Sequence, residues 1–312
     1  MSFLKFTVNV NTSIDINAEL EDVKKIIGDF NKWKEFSPWK ILDENTENHI
    51  SKDGKELGSV MTWSSKYVGE GEIELTEKVD HAFYYDLRFF KPFKSRAKSW
   101  ITFHPEPNAI RVFWHMKTEM PIFLIFFKKI FMNMIISDLD RGLKMLKALI
   151  EIGKVNSQIE NSGTAEFGGQ SFIGIKTENC LLKYLPGEMT RNFEKLKEFV
   201  GEKNLENAKF FSIYHSMSMK TMEFNFTTAV SFNGCESIQV VEDIYKGESP
   251  VIKALKIRHI GDWKFLGNAW KYGMARCYGK AAIYKYNKGS PSYEVYQNIE
   301  DPKVTDVYIS IK

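Results

Sequence analysis

Residues 291–311 read PSYEVYQNIEDPKVTDVYISI, two alternating runs on either side of the turn signal Asp301-Pro302. Successive side chains of a strand point to opposite faces. Glu294 and Tyr296 therefore share one face of the first run, and Tyr293 and Val295 the other. A carboxylate set beside an aromatic ring suits an organic ligand. In the second run Thr305, Val307, Ile309 and Ile311 form the apolar face, with Asp306, Tyr308 and Ser310 on the polar one.

Upstream of this pair, Trp263–Tyr278 reads as a helix and Val251–Ile260 as a strand. Further back lie strands at Ser237–Tyr245, Glu223–Phe232 and Lys209–Tyr214, a helix at Met189–Val200 with Phe193, Leu196 and Val200 on one face, and a strand at Gln170–Ile175. Strand, helix and strands thus recur with a period of about 70 residues, which predicts a pseudo-twofold duplication enclosing a cleft. Between Gly153 and Gly169 the hydrophobic period fades while Gly, Ser and Asn accumulate. Residues 153–168 are expected to be a linker between domains 1–152 and 169–312.

The first half begins with a strand-like alternation at Met1–Val8, followed by two short helices at Leu20–Gly28 and Phe30–Phe36. Strands are expected at Ser59–Ser64, Gly71–Glu77, Phe83–Phe90, Ser99–His104 and Ile110–Lys117, separated by turn signals such as Asp53-Gly54. A long helix, Met132–Ile152, carries Met132, Ile135, Ile136, Leu139, Leu143, Leu146 and Ile150 at three-and-four spacing, one buried stripe. The resulting fold class is α+β: one curled antiparallel sheet gripping a long helix, then a second, duplicated domain.

Composition narrows the functional classes. A chain of 312 residues divides naturally into two modules of about 150, each burying roughly two-thirds of its unfolded surface. The net charge of +3 comes from 43 basic and 40 acidic residues spread along the chain, without the cationic block that phosphate neutralisation needs. No direct nucleic-acid partner is expected. Cys180, Cys235 and Cys277 show no CxxC spacing, so neither disulfides nor zinc are expected and a reducing cytoplasm fits. The amino terminus lacks the apolar core and cleavage site of a signal peptide. The greasiest run, Pro121–Phe127, falls far short of the roughly 20 residues that cross a bilayer. The longer run Pro121–Phe131, interrupted by Lys128 and Lys129, is read as a lid over the first domain's cavity, with a membrane-surface role as the alternative.

Two family resemblances add to this reading. Phe30-Asn31-Lys32-Trp33, Ser37-Pro38-Trp39, Gly58–Trp63, Val68-Gly69-Glu70-Gly71, Lys91-Pro92-Phe93 and Asp138–Lys147 resemble the polyketide-cyclase-like branch of the START-type helix-grip (SRPBCC) superfamily. That resemblance implies a cavity between sheet and helix for hydrophobic molecules. Residues 169–312, chiefly His259–Trp270 and the two final strands, resemble the gyrase-inhibitor-like effector-binding domain of AraC-type and MerR-type regulators. There the resemblance implies a small-molecule site with a glutamate at its floor, at the position of Glu294.

Glu294 is the leading candidate residue: a carboxylate in an aromatic cleft would attract a cationic or polarised ligand, and burial would raise its pKa toward general-acid use. Its bland alternative is a solvated strand face. Tyr296, Tyr308 and Trp270 offer ring faces for a cation or flat molecule, or serve as core aromatics. In the first domain Trp63, Tyr85, Phe89 and Trp114 are candidate cavity walls, and Gly142, mid-helix, leaves room for a ligand or a close strand. The six histidines are scattered without HxxxH spacing, so no metal or other cofactor is expected. Gly-x-Ser-x-Gly, Gly-x-Gly-x-x-Gly and Walker motifs are absent.

The reading that follows is a binder of small hydrophobic or aromatic ligands with a sensor, carrier or regulatory role. One alternative is a hydrolase or cyclase using Glu294 with Tyr296 or Tyr308. The other is a protein-interaction partner with filled pockets.

Overall fold

The computed structural model describes residues 4–241 and 243–312. The first three residues of the expected opening strand, and position 242 within the expected strand Ser237–Tyr245, lie outside them. The chain forms two compact units, Met1–Asn156 and Ser157–Lys312. Each is an antiparallel sheet with helices, so the class is α+β.

In the first unit β1 (Lys5–Ile16) leads into α1 (Leu20–Ile27) and α2 (Phe30–Phe36), then β2 (Glu47–Ile50), β3 (Val60–Ser65), β4 (Gly69–Val79), β5 (Ala82–Lys91), β6 (Ser95–Glu106), β7 (Ala109–Pro121) and α3 (Lys128–Ile152). The sheet order is β1-β7-β6-β5-β4-β3-β2: a meander whose last strand folds back beside the first. Asp29 caps α2, its Oδ1 accepting from the Asn31 backbone N–H at 2.9 Å, which satisfies one of the unpaired donors of a helix start. Gly153, with φ of 81°, stops α3 in the left-handed conformation glycine adopts freely.

The expected stripe on α3 is only partly buried. Leu139, Leu143 and Leu146 are sealed, whereas Met132, Ile135, Ile136 and Ile150 remain half-exposed. Gly142 is explained by packing: a Cβ there would lie 2.7 Å from Trp114 Cζ3 and 3.1 Å from Pro38 Cδ.

The second unit runs β8 (Ser157–Phe167), β9 (Ser171–Leu181), α4 (Leu185–Val200), α5 (Glu202–Leu205), β10 (Lys209–Ser218), β11 (Glu223–Ser231), β12 (Ile244–Glu248), β13 (Ile252–Gly261), α6 (Gly267–Ala275), β14 (Ser292–Asn298) and β15 (Val304–Ser310). Its sheet order is β12-β9-β11-β10-β14-β15-β13-β8. Two expectations are corrected here. Residues 157–167, expected within a linker, form strand β8, paired with β13 from Phe167↔Ile252 to Ser157↔Gly261; the partner's hydrogen bonds override a polar, glycine-containing sequence. Of the strand expected over Ser237–Tyr245, the last two residues open β12 (Ile244–Glu248), while Ser237 ends a short helical turn over Cys235–Ser237.

One face of this sheet carries α4 and α6, packed through clusters around Leu196 and Val230 and around Ala269 and Ile309. The opposite face holds Phe172, Phe211, Tyr293, Val295 and Tyr308. The closing pair lies inside the sheet, so both faces of β15 are covered and Asp306 and Ser310 are buried. The polar face of the last strand is thus shielded from water. Asp306 instead receives Arg258 Nε and Nη2 at 2.7 and 2.9 Å and Lys256 Nζ at 3.0 Å, the pairing a buried carboxylate requires.

Candidate functional site

Glu294 sits on β14, one of the two central strands, and only 4% of it is exposed. The β10–β14 register sets Glu294 opposite Ser212, with Phe210 opposite Tyr296 and Tyr214 opposite Ser292. All these side chains therefore rise from the face covered by α4 and α6. Trp270, on α6, donates its indole N–H to Glu294 Oε1 at 2.5 Å. Tyr296 donates its hydroxyl to Oε2 at 2.8 Å and lies 3.2 Å from Ser212 Oγ. The Tyr214 hydroxyl stands close enough to help hold the carboxylate's charge.

Rings close the ring of donors. Phe193 of α4 meets Tyr296 edge-on at 5.3 Å, Trp263 meets it at 5.6 Å, and Tyr214 meets Trp270 at 5.1 Å. Met189 Sδ lies 3.9 Å from both the Tyr214 and Tyr296 hydroxyls. Phe193, Tyr214, Trp270 and Tyr296 are each half-buried, and Trp263 is exposed, so the buried carboxylate lies beneath a cluster of rings whose outer members reach solvent.

Electrostatics follow from the geometry. Burial pushes the Glu294 pKa above the usual carboxylate range, against the lowering by Trp270, Tyr296 and Tyr214. The same burial, with the carboxylate nearby, holds Tyr214 and Tyr296 protonated far above neutrality. Both phenols are thus fixed as donors. A carboxylate offers about four lone-pair directions, so directions remain for a cationic guest, whose charge the rings can also face.

The candidates named from the sequence fall into three places. Glu294, Tyr296 and Trp270 come together. Tyr308 does not join them: it pairs with Tyr293, on the opposite face, and stacks on Phe167 at 4.6 Å. Its assignment beside Glu294 is corrected by the register, which pairs Glu294 with Val307. In the first unit Tyr85 and Trp114 are fully buried and satisfied, Tyr85 donating to the Ile27 carbonyl at 3.1 Å and Trp114 Nε1 to Ser99 Oγ at 3.0 Å. Trp33 packs edge-on against both, at 5.1 and 5.9 Å, so they form wall and filling at once.

Trp63 and Phe89 lie elsewhere on that sheet, edge-on at 5.8 Å and only half-buried. Gly71 makes room for them, since its Cβ would strike the Trp63 ring. Among the described residues, Trp63 Nε1 and Ser59 Oγ are buried without a hydrogen-bond partner.

Sequence reasoning missed Tyr214, Met189 and Trp263 as neighbours of Glu294. Tyr214 carried a signal, two residues beyond Ser212 on a strand already recognised, but only the β10–β14 pairing gives it meaning. A further recess of about 560 Å³, broad and open, lies on the other face of the second sheet against Lys176, His215, Asn225 and Tyr245. There Thr227 Oγ1 links His215 Nε2 and the Tyr245 hydroxyl, each at 2.8 Å. Among the described residues no three His, Cys, Asp or Glu side chains gather as metal ligands, and no helix is long and apolar enough to cross a membrane.

Comparison with curated proteins returns no match. Solved structures similar to part of the chain include truncated norcoclaurine synthase from Thalictrum flavum, 10% identical, covering 47% of this chain and 95% of that one with a TM-score of 0.39. Protein XoxI from Bacillus cereus is 18% identical over 47% of this chain and 99% of its own, with a TM-score of 0.36. An integron cassette protein from Vibrio cholerae is 12% identical over 50% and 99%, with a TM-score of 0.37. Residues 7–151 match the family described as polyketide cyclase / dehydrase and lipid transport.

Proposed function

We propose that the protein is a two-site small-molecule binder in which the second unit, a gyrase-inhibitor-like effector domain, takes a flat, cationic or strongly polarised aromatic molecule on Glu294. The observation that carries this is the buried Glu294 carboxylate, held by the Trp270 and Tyr296 donors beneath a cluster of partly exposed rings. A buried charge is expensive to maintain and persists where it has work to do.

The duplicated plan of the second unit is part of the proposal. Strand β9, helix α4 and strands β10 and β11 are echoed by β13, α6, β14 and β15, and the sheet order reads alike from both edges. Glu294 then lies where the two halves meet, with one helix from each half over it.

The first unit supplies a site for an uncharged hydrophobic molecule. The family match speaks for small-molecule binding. Three further facts favour a hollow over a solid interior: the half-exposed Met132, Ile135 and Ile136 on the gripping helix, the half-buried Trp63–Phe89 pair, and the unsatisfied Trp63 N–H. A sensor or carrier role agrees with two such sites on one chain.

Calorimetric titration with a panel of aromatic amines, cationic dyes, neutral polyketides and fatty acids tests the proposal. A planar cation is expected to bind, with a loss of about tenfold or more in Glu294→Gln, while neutral ligands are unaffected by that change. No binding by any member of the panel would overturn it. A second reading, hydrolysis of an electrophilic ligand by Glu294 with Tyr296, is favoured by the hydrogen bond between them; unchanged turnover in Glu294→Gln would exclude it.

A further inference from the structure

At one end of the first sheet an apolar surface faces water. Register assembles it: Phe89 pairs with Ser95, Ala97 with Thr118, and Lys5 with Pro121. The β5–β6 hairpin tip, the start of β1 and the helical turn Ile122–Phe127 therefore share one edge. Leu4 is 77% exposed, Phe93 71%, Phe123 66% and Phe126 88%, and Phe90 and Phe127 are exposed beside them. The turn is anchored, Ile122 N–H donating to the Leu4 carbonyl at 2.8 Å, so the rings are displayed by fixed backbone. Contiguous exposed apolar surface on this scale marks an interaction site.

Charge at the same end has one sign left over. The carboxylates of Glu70 and Glu119 are taken by Lys91 at 2.7 Å and Lys5 at 3.0 Å. Among the described residues Lys94, Arg96 and Lys129 have no carboxylate partner, and Lys128 Nζ lies 5.9 Å from the Phe6 ring.

We propose that this end docks reversibly on the surface of an anionic phospholipid bilayer. Exposed phenyl rings would lie in the boundary between headgroups and acyl chains, while Lys94, Arg96, Lys128 and Lys129 reach the headgroups on flexible stems. The charge decides against a second copy: a twofold contact through this face would press one cationic belt against another. A bilayer accepts rings and cations together.

The full chain is to be sedimented with vesicles of phosphatidylcholine alone and of phosphatidylcholine with about one-third phosphatidylserine. Binding is expected on the anionic vesicles, roughly tenfold or more above the neutral ones, and weakening with added salt. Phe123→Ser and Phe126→Ser should each lower partitioning by roughly tenfold. Lys128→Gln and Lys129→Gln should each lower it about fivefold, on anionic vesicles only. Phe123, Phe126 and Lys129 are exposed and Lys128 is half-buried, so the variants should melt within a few degrees of the wild type. Absence of binding to anionic vesicles would overturn the proposal, as would binding indifferent to both sets of variants. Self-association abolished by Phe126→Ser, with vesicles ignored, would assign the face to a second copy and overturn it equally.

Discussion

At the residue scale, Glu294 has its folded-state pKa above the unfolded value. A group shifted this way favours the folded chain below its unfolded pKa, and that contribution is lost as pH rises through the folded pKa. Glutamine stays neutral throughout. Glu294→Gln should therefore gain in Tm relative to wild type as pH rises above the unfolded carboxyl pKa of about 4.3, and a flat difference would show that the carboxylate carries no burial penalty. His259 behaves oppositely with acid. It is buried on β13, its Nε2 3.0 Å from Ser157 Oγ, and burial pushes its pKa down to about 4. Its stabilisation is complete above about pH 6.5 and is lost as pH falls toward about 4. The loss is on the order of 3 kcal/mol; His259→Gln should flatten that part of a denaturation-versus-pH series. Gly142 makes a purely steric case. Alanine normally favours a helix by about 1 kcal/mol over glycine, yet here its Cβ meets Trp114 and Pro38. Gly142→Ala should lower stability by about 1–3 kcal/mol in urea unfolding.

At the element scale, what was legible in the sequence is what periodicity and caps encode. Alternation located β4 to β7, β10 and β11 within about four residues and the start of β9, whose last six residues it missed, and the three-and-four stripe located α3. The burial along that helix was not legible, because Met132 and Leu139 look alike until the sheet is seen to close on one and not the other. Strand β8 was invisible for a related reason. Its sequence, SQIENSGTAEF, alternates weakly and is a strand because β13 offers a ladder. Register decided the rest: nothing local states that Tyr308 stands across from Tyr293, or that Tyr214, Met189 and Trp263, from three elements, surround Glu294. A fragment beginning at residue 169 would leave β13 as an open edge. It is expected to aggregate on size-exclusion chromatography, whereas one beginning at Ser157 stays monodisperse; equal behaviour would deny β8 its part in the second sheet.

At the scale of the whole molecule, each unit holds its own sheet, helices and core. Domains so built fold alone. Fragments 1–156 and 157–312 should each unfold cooperatively in urea, and failure of both to fold would mean that the units depend on each other. Separate folding also lets the two proposed sites be titrated one at a time.

The indole of Trp270 is fixed on a carboxylate at 2.5 Å, and emission from such a ring depends on the charge beside it. The molecule thus carries an intrinsic optical probe at the point of interest. A guest that covers Glu294, or a proton that neutralises it, should shift or quench the fluorescence of Trp270, and Trp270→Phe should silence that signal while the remaining tryptophans keep glowing.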